Sequence, residues 1–213
     1  YGMALVNAQR PKDAVPILQS NHQREIHGQW FTHHISDARP NIYKNNNNRS
    51  VLETNIIEWS RMAGILQTRF KLVTAMGNSG TCVEARTYIE EGLLWANDIL
   101  NTVEKEKSQP GADLVGTQSS SRSHSLEEIQ HSINKNKAFL LVAKSRCAET
   151  AATMGKAALD AIMIVPGDSY VSDHAVRVNE IIAKIIDQKV DPNNVILGWQ
   201  LNSDGQTARM TFQ

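Results

Sequence analysis

The stretch from Ser50 to Glu84, SVLETNIIEWSRMAGILQTRFKLVTAMGNSGTCVE, decides the reading of the fold. Within it Leu52, Ile56, Trp59, Ala63, Leu66, Phe70 and Val73 recur in alternating steps of four and three residues, which places them on one face of an α-helix. A second row, Met62, Ile65, Leu72 and Met76, widens that face beyond a two-stranded seam, so the helix predicted over 51–76 needs neighbours on more than one side. Ser50 with Glu53, and Thr81 with Glu84, have the spacing of a capping box, in which a hydroxyl accepts from a free backbone N–H and the Glu reaches back to the cap residue. Asn78-Ser79-Gly80 breaks the pattern. A connection this short predicts antiparallel neighbours.

Outward from this hairpin of helices the same logic continues. Cys82, Ala85, Ile89, Leu93, Ala96, Leu100 and Val103 predict a second helix over 82–107, with Gly92 permitting a close approach. Residues 108–124 are rich in Ser, Gly and Gln and read as an exposed loop. Ser125 and Glu128 form a third capping pair, opening an apolar repeat that runs through Leu126, Ile129, Ile133, Leu140, Ala143, Cys147, Met154, Ala157 and Ala161 to Pro166-Gly167. One continuous helix over 126–165 would be roughly 60 Å long, so it is expected to kink near Gly155 or to project beyond the first two. A fourth helix is predicted over 173–188. The pattern then changes to period two: Val195, Leu197, Trp199 and Leu201, a turn at Asn202-Ser203-Asp204-Gly205, and Ala208, Met210 and Phe212 spell a β-hairpin. Residues 1–50, with Pro11, Pro16, Pro40, and the run Asn45 to Asn48, read as an irregular arm holding a short helical turn near 13–19 and an extended piece around Trp30. The expected fold is mainly α: about four helices over 51–188, an N-terminal arm over 1–50, and a C-terminal β-hairpin over 189–213 packed on the bundle.

Composition narrows the function classes. The 22 Lys and Arg balance 22 Asp and Glu, which argues against a domain built mainly to grip nucleic acid or an anionic membrane. No apolar run approaches the roughly 20 residues of a membrane span. Ala4-Leu5-Val6-Asn7-Ala8 has the small residues of a leader's cleavage end without its charged start and apolar core, so it is not read as one. Two cysteines, Cys82 and Cys147, are too few for a disulfide scaffold. Both fall on core-facing stripes and are read as buried thiols or as a bond joining two helices.

The constellations suited to chemistry are sparse. His22, His27, His33, His34 and Asp37 are weak candidates for metal ligands, because their spacing matches no metal motif and the segment has little periodicity to make them converge. Glu128 and His131 have the E-x-x-H spacing of a di-iron bundle, which needs a second copy that the chain lacks. Gly77-Asn78-Ser79-Gly80-Thr81 has Thr where a phosphate loop needs Lys, and a helix where it needs a strand. Lys135, Lys137, Lys144 and Arg146 make the third helix basic, without the interleaved aromatics of a single-strand groove.

No catalytic constellation and no cofactor motif emerges. The expectation is a non-catalytic structural or assembly subunit acting through protein–protein contacts, as in a filament, shell, virion or secretion assembly, with partners that are copies of itself or other subunits. Trp30, Phe31, Tyr43, Trp199 and Phe212 are its interface candidates. An enzyme or metal-binding protein using the His22–Asp37 cluster is the first alternative. A capsid-like nucleic-acid binder using helix 126–165 is the second.

Overall fold

The computed structural model describes residues 2–27, 51–108 and 126–213. Among the described residues seven α-helices pack against one another and carry a two-stranded antiparallel sheet at the C-terminal end. In chain order they are α1 (Gly2–Asn7), α2 (Pro11–Ile26), α3 (Val51–Asn78), α4 (Cys82–Lys107), α5 (Leu126–Arg146), α6 (Ala151–Ile164) and α7 (Ser169–Asp187), followed by a 3-10 turn (Pro192–Asn194), β1 (Leu197–Leu201) and β2 (Ala208–Phe212).

The stripe of α3 forms the centre of the main core. Ile56, Trp59, Ala63, Leu66 and Val73 are buried, as are Ile65, Leu72 and Met76 of the second row, and α2, α4 and α5 all pack on this one helix. Gly92 is where α4 comes closest: a Cβ there would lie 2.8 Å from both Arg69 Cδ on α3 and Leu140 Cδ1 on α5. On α5 the apolar repeat is interrupted at Asn136, whose buried side chain donates to the Ala63 carbonyl at 3.0 Å and so satisfies its amide across the interface.

Three expectations are corrected. Thr81 precedes α4, but it forms no capping box with Glu84: its hydroxyl turns back to the Met76 carbonyl at 3.1 Å and to Ser79 Oγ at 3.1 Å, satisfying the end of α3 instead. The other two proposed boxes, at Ser50 and Ser125, lie outside the described residues. The long third helix is two helices, and the break is at 147–150 rather than at Gly155. Thr150 caps α6 by a reciprocal exchange with Thr153, and Arg86 Nε takes the Cys147 carbonyl at 2.7 Å. The apolar spacing runs on through the break because α6 buries alanines in almost the same phase. Finally, residues 2–26 are not irregular. Pro11 sits in the first turn of α2, where no N–H is needed, and Pro11, Ala14, Leu18 and His22 form a buried row against the bundle.

The hairpin closes one end of the molecule. Its register pairs Leu197 with Phe212, Trp199 with Met210 and Leu201 with Ala208. The Asp204 carboxylate accepts from the Thr207 hydroxyl and from the backbone N–H groups of Gln206 and Thr207, which holds its pKa below the usual range, and Gly205 adopts φ 63° in the turn. Leu197 and Met210 join Ala151, Met154, Ala158, Val178 and Ile185 in a second, smaller core, whereas Trp199 packs against the main one. Gly80, at φ 83°, turns the chain between α3 and α4, and a Cβ there would come within 3.0 Å of the Ala208 Cβ. The sheet therefore seats directly on that turn.

Candidate functional site

Of the eleven large hydrophobic side chains exposed among the described residues, Leu159, Met163, Val176, Ile186, Val190, Ile196, Leu201 and Phe212 lie beyond residue 150. A groove of about 640 Å³ runs between α7 and the ends of the strands, with Ile181, Ile185, Val190, Val195 and Phe212 on its walls and Lys184 at its rim. Phe212 shares the inner face of the sheet with Leu197, yet it is 50% exposed where Leu197 is 6%.

Backbone bonding shows which edge of the sheet is open. Ile196 and Gln213 exchange bonds at 3.0 and 2.9 Å, and Asn202 donates to Thr207 at 2.8 Å, so the even-numbered residues of β1 face β2. The odd-numbered groups of β1 point away, and the first of them is used: Leu197 donates to the Glu149 carbonyl at 2.8 Å, beside a bridge between Thr150 and Ile196. On β2 the outward groups belong to Ala208, Met210 and Phe212. None of them meets a backbone partner among the described residues.

The interface candidates divide accordingly. Phe212 lines the groove, Trp199 is half-buried beneath the sheet with its indole N–H unpartnered, and Trp30, Phe31 and Tyr43 lie outside the described residues. Cys82 and Cys147 are joined by a disulfide, S–S 2.06 Å, that ties the start of α4 to the end of α5.

The histidine candidates are not brought together. His22 is fully buried, and its Nε2 accepts from Arg69 Nε at 3.1 Å while Nδ1 has no partner; burial first, and the Arg69 charge second, hold its pKa at about 4. His27 ends α2 on the surface, its backbone N–H closing the helix onto the Gln23 carbonyl. His33, His34 and Asp37 lie outside the described residues. Among the described residues no three His, Cys, Asp or Glu side chains converge as a metal site would require.

Sequence reasoning missed Arg69, the largest fully buried side chain. Besides His22, its guanidinium donates to the Tyr88 carbonyl at 2.9 Å and to Glu91 at 3.0 Å, and it lies 3.9 Å from the Trp95 ring centroid. The clue was its phase: three residues after Leu66 and four before Val73, it stands on the apolar stripe. A related arrangement holds α7. His174 has a buried, unpartnered Nε2 and a pKa lowered to about 4, by burial first and then by Arg146 and Arg177.

Three of the four basic residues of α5 face partners within the chain. Lys135 meets Asp168 at 3.2 Å, Lys144 meets Glu90 at 2.8 Å, and the Arg146 guanidinium lies 5.4 Å from the Tyr170 ring centroid. Among the described residues no helix is long and apolar enough to cross a membrane. Comparison with family models, curated proteins and solved structures finds no match for the chain.

Proposed function

We propose that this chain is a non-catalytic assembly subunit of an oxidising compartment, working through protein–protein contacts made at its hairpin end. The observation that carries the reading is the open outer edge of β2 beside the apolar groove under Phe212. An unpaired edge is a template for another strand, and proteins that must stay apart protect such edges with proline, bulges or inward-pointing charge. β2, Ala-Arg-Met-Thr-Phe, has no proline, and its single charge, Arg209, bonds across to Gln200 on β1. The buried disulfide supports the compartment, since such bonds persist where thiols are not kept reduced. The metal alternative has less support because the Nε2 of His22 is already engaged, and the nucleic-acid alternative because the cations of α5 are largely paired.

A second copy is the partner best suited to the edge. A two-fold axis at Met210 would let Ala208, Met210 and Phe212 exchange bonds with Phe212, Met210 and Ala208 of the other strand, and would set Arg209 opposite Thr211 rather than another Arg209. Five residues of strand alone bury far less than the roughly 1,200 Å² of a stable interface, so pairing should be weak and dependent on concentration. The test mixes Arg209→Cys and Thr211→Cys proteins under mild oxidation. Opposed residues would sit about 4.5 Å apart at Cα, so the mixture should cross-link while neither protein alone does. A chain that remains monomeric by light scattering at high concentration, gives no cross-link and retains no partner would end the assembly reading.

A further inference from the structure

The outermost layer of the bundle, α1 and α2, is held on α3 and α4 around a buried polar contact. Arg69 donates to His22, and on either side Gln19 donates to the Tyr88 hydroxyl at 3.0 Å, Thr68 to Glu25 at 3.1 Å, and Arg61 to the Glu25 and Ile26 carbonyls at 3.2 Å each. The contact works in one protonation state. Neutral imidazole offers a lone pair to the guanidinium, whereas imidazolium has only donors to present to it. Protonation would therefore remove the bond and press two cations together in a site without water contact.

The neighbouring charges do not rescue the protonated state. On α2 the nearby carboxylate is Glu25, whose pKa is raised by burial, so acid neutralises it more readily than a free carboxylate. From α3 come the cations Arg69, Lys71, which faces Glu25, and Arg61, which bonds to the Glu25 and Ile26 carbonyls and is paired with Glu58. From α4 come Tyr88, which is neutral, and Glu91, already bonded to Arg69. The short α1 contributes no titratable side chain.

We propose that His22 makes the α1–α2 layer an acid-released clasp, closed on α3 and α4 at neutral pH and opened when the imidazole takes a proton. The direction follows from linkage. A detached α2 carries a histidine that titrates near 6.5, while the docked one refuses the proton until about 4. The docked state is thus fully favoured above 6.5, and the detached population grows by up to about tenfold per pH unit as pH falls from there toward 4. Opening would expose Arg69 and the Tyr88 face of α4, a surface unlike the hairpin edge. The clasp stands independently of the assembly role.

Hydrogen–deuterium exchange on the full chain, expressed as protection factors so that the intrinsic effect of pH cancels, tests it. Between pH 7 and pH 5, protection over 11–26 should fall by at least tenfold while that over 82–107 stays constant. His22→Gln, whose amide oxygen can accept from Arg69, should make protection of α2 independent of pH. Equal loss in the wild type and in His22→Gln, or no loss in either, overturns the proposal. Should His22→Gln fail to dock, the ring signal of His22 in the wild type decides: it must stay that of neutral imidazole at pH 5, and a midpoint near 6.5 in the folded protein overturns the clasp.

Discussion

The two cores of this protein are built by different means. The main one interlocks large side chains from α3, α4 and α5, holds the buried Arg69, His22 and Asn136 by hydrogen bonds that cross between helices, and is stapled by a disulfide. The second, beneath the hairpin, relies on small residues, Ala148, Ala151 and Ala158, against Met154, Val178 and Ile185, and much of the apolar surface around it stays open. Alanines let α6 approach closely but remove little surface from water, so this region has less to lose on opening. One region is closed on itself, and the other leaves apolar side chains open.

That contrast is sharpest where the main core is weakened. Replacing both Cys82 and Cys147 by Ala frees a loop spanning a sequence separation of 65 and should cost roughly 4 kcal/mol in denaturant unfolding. Leu66→Ala, at a fully buried centre of α3, should cost about 3 kcal/mol. A loss under about 1 kcal/mol would mean that the stripe is not the keystone it resembles. Acid acts next. His22 and His174 both stay neutral in the folded protein to about 4 against an ordinary 6.5, so their stabilisation is complete above 6.5 and drains away as pH falls toward 4. From pH 7 to pH 5, His22 and His174 should each account for about 2 kcal/mol; urea midpoints of His22→Gln and His174→Gln at the two pH values measure each share.

In the second core the expected effects are smaller. Val178→Ala should cost about 1–2 kcal/mol, and exchange should report it over 151–187 before it appears over 51–107. Phe212→Asp, on a half-exposed side chain at the groove, should change unfolding by less than about 0.5 kcal/mol while abolishing cross-linking through β2. A large stability loss there would instead make the hairpin part of the protein's own core, and the two regions would no longer differ in kind.

Much of the helical frame was legible because periodicity and punctuation agreed. The bounds of α4 coincide with the predicted 82–107, and the alternation of 195–212 resolves into two paired strands. The break after Cys147 was illegible because α5 and α6 keep their apolar phase across it, and because Thr150 caps through Thr153 rather than through a Glu. The helix at 11–26 was hidden by two prolines and by a buried row that includes a histidine. Arg69 was overlooked because charge argues for a surface, and only its phase between Leu66 and Val73 argued otherwise. Which of the hairpin's two edges stays open could not be read, since alternation fixes which face a side chain takes but not whether a neighbour lies alongside.

The bond between Cys82 and Cys147 also has a topological consequence. It turns the chain from 82 to 147 into a closed ring holding all of α4 and α5. A channel wide enough for one extended strand cannot pass a ring, so any single-file passage must be complete before the bond forms, or must wait for its reduction. Conversely, a single cut in the backbone between these two residues leaves one covalent molecule, whose pieces separate only when a reductant is added.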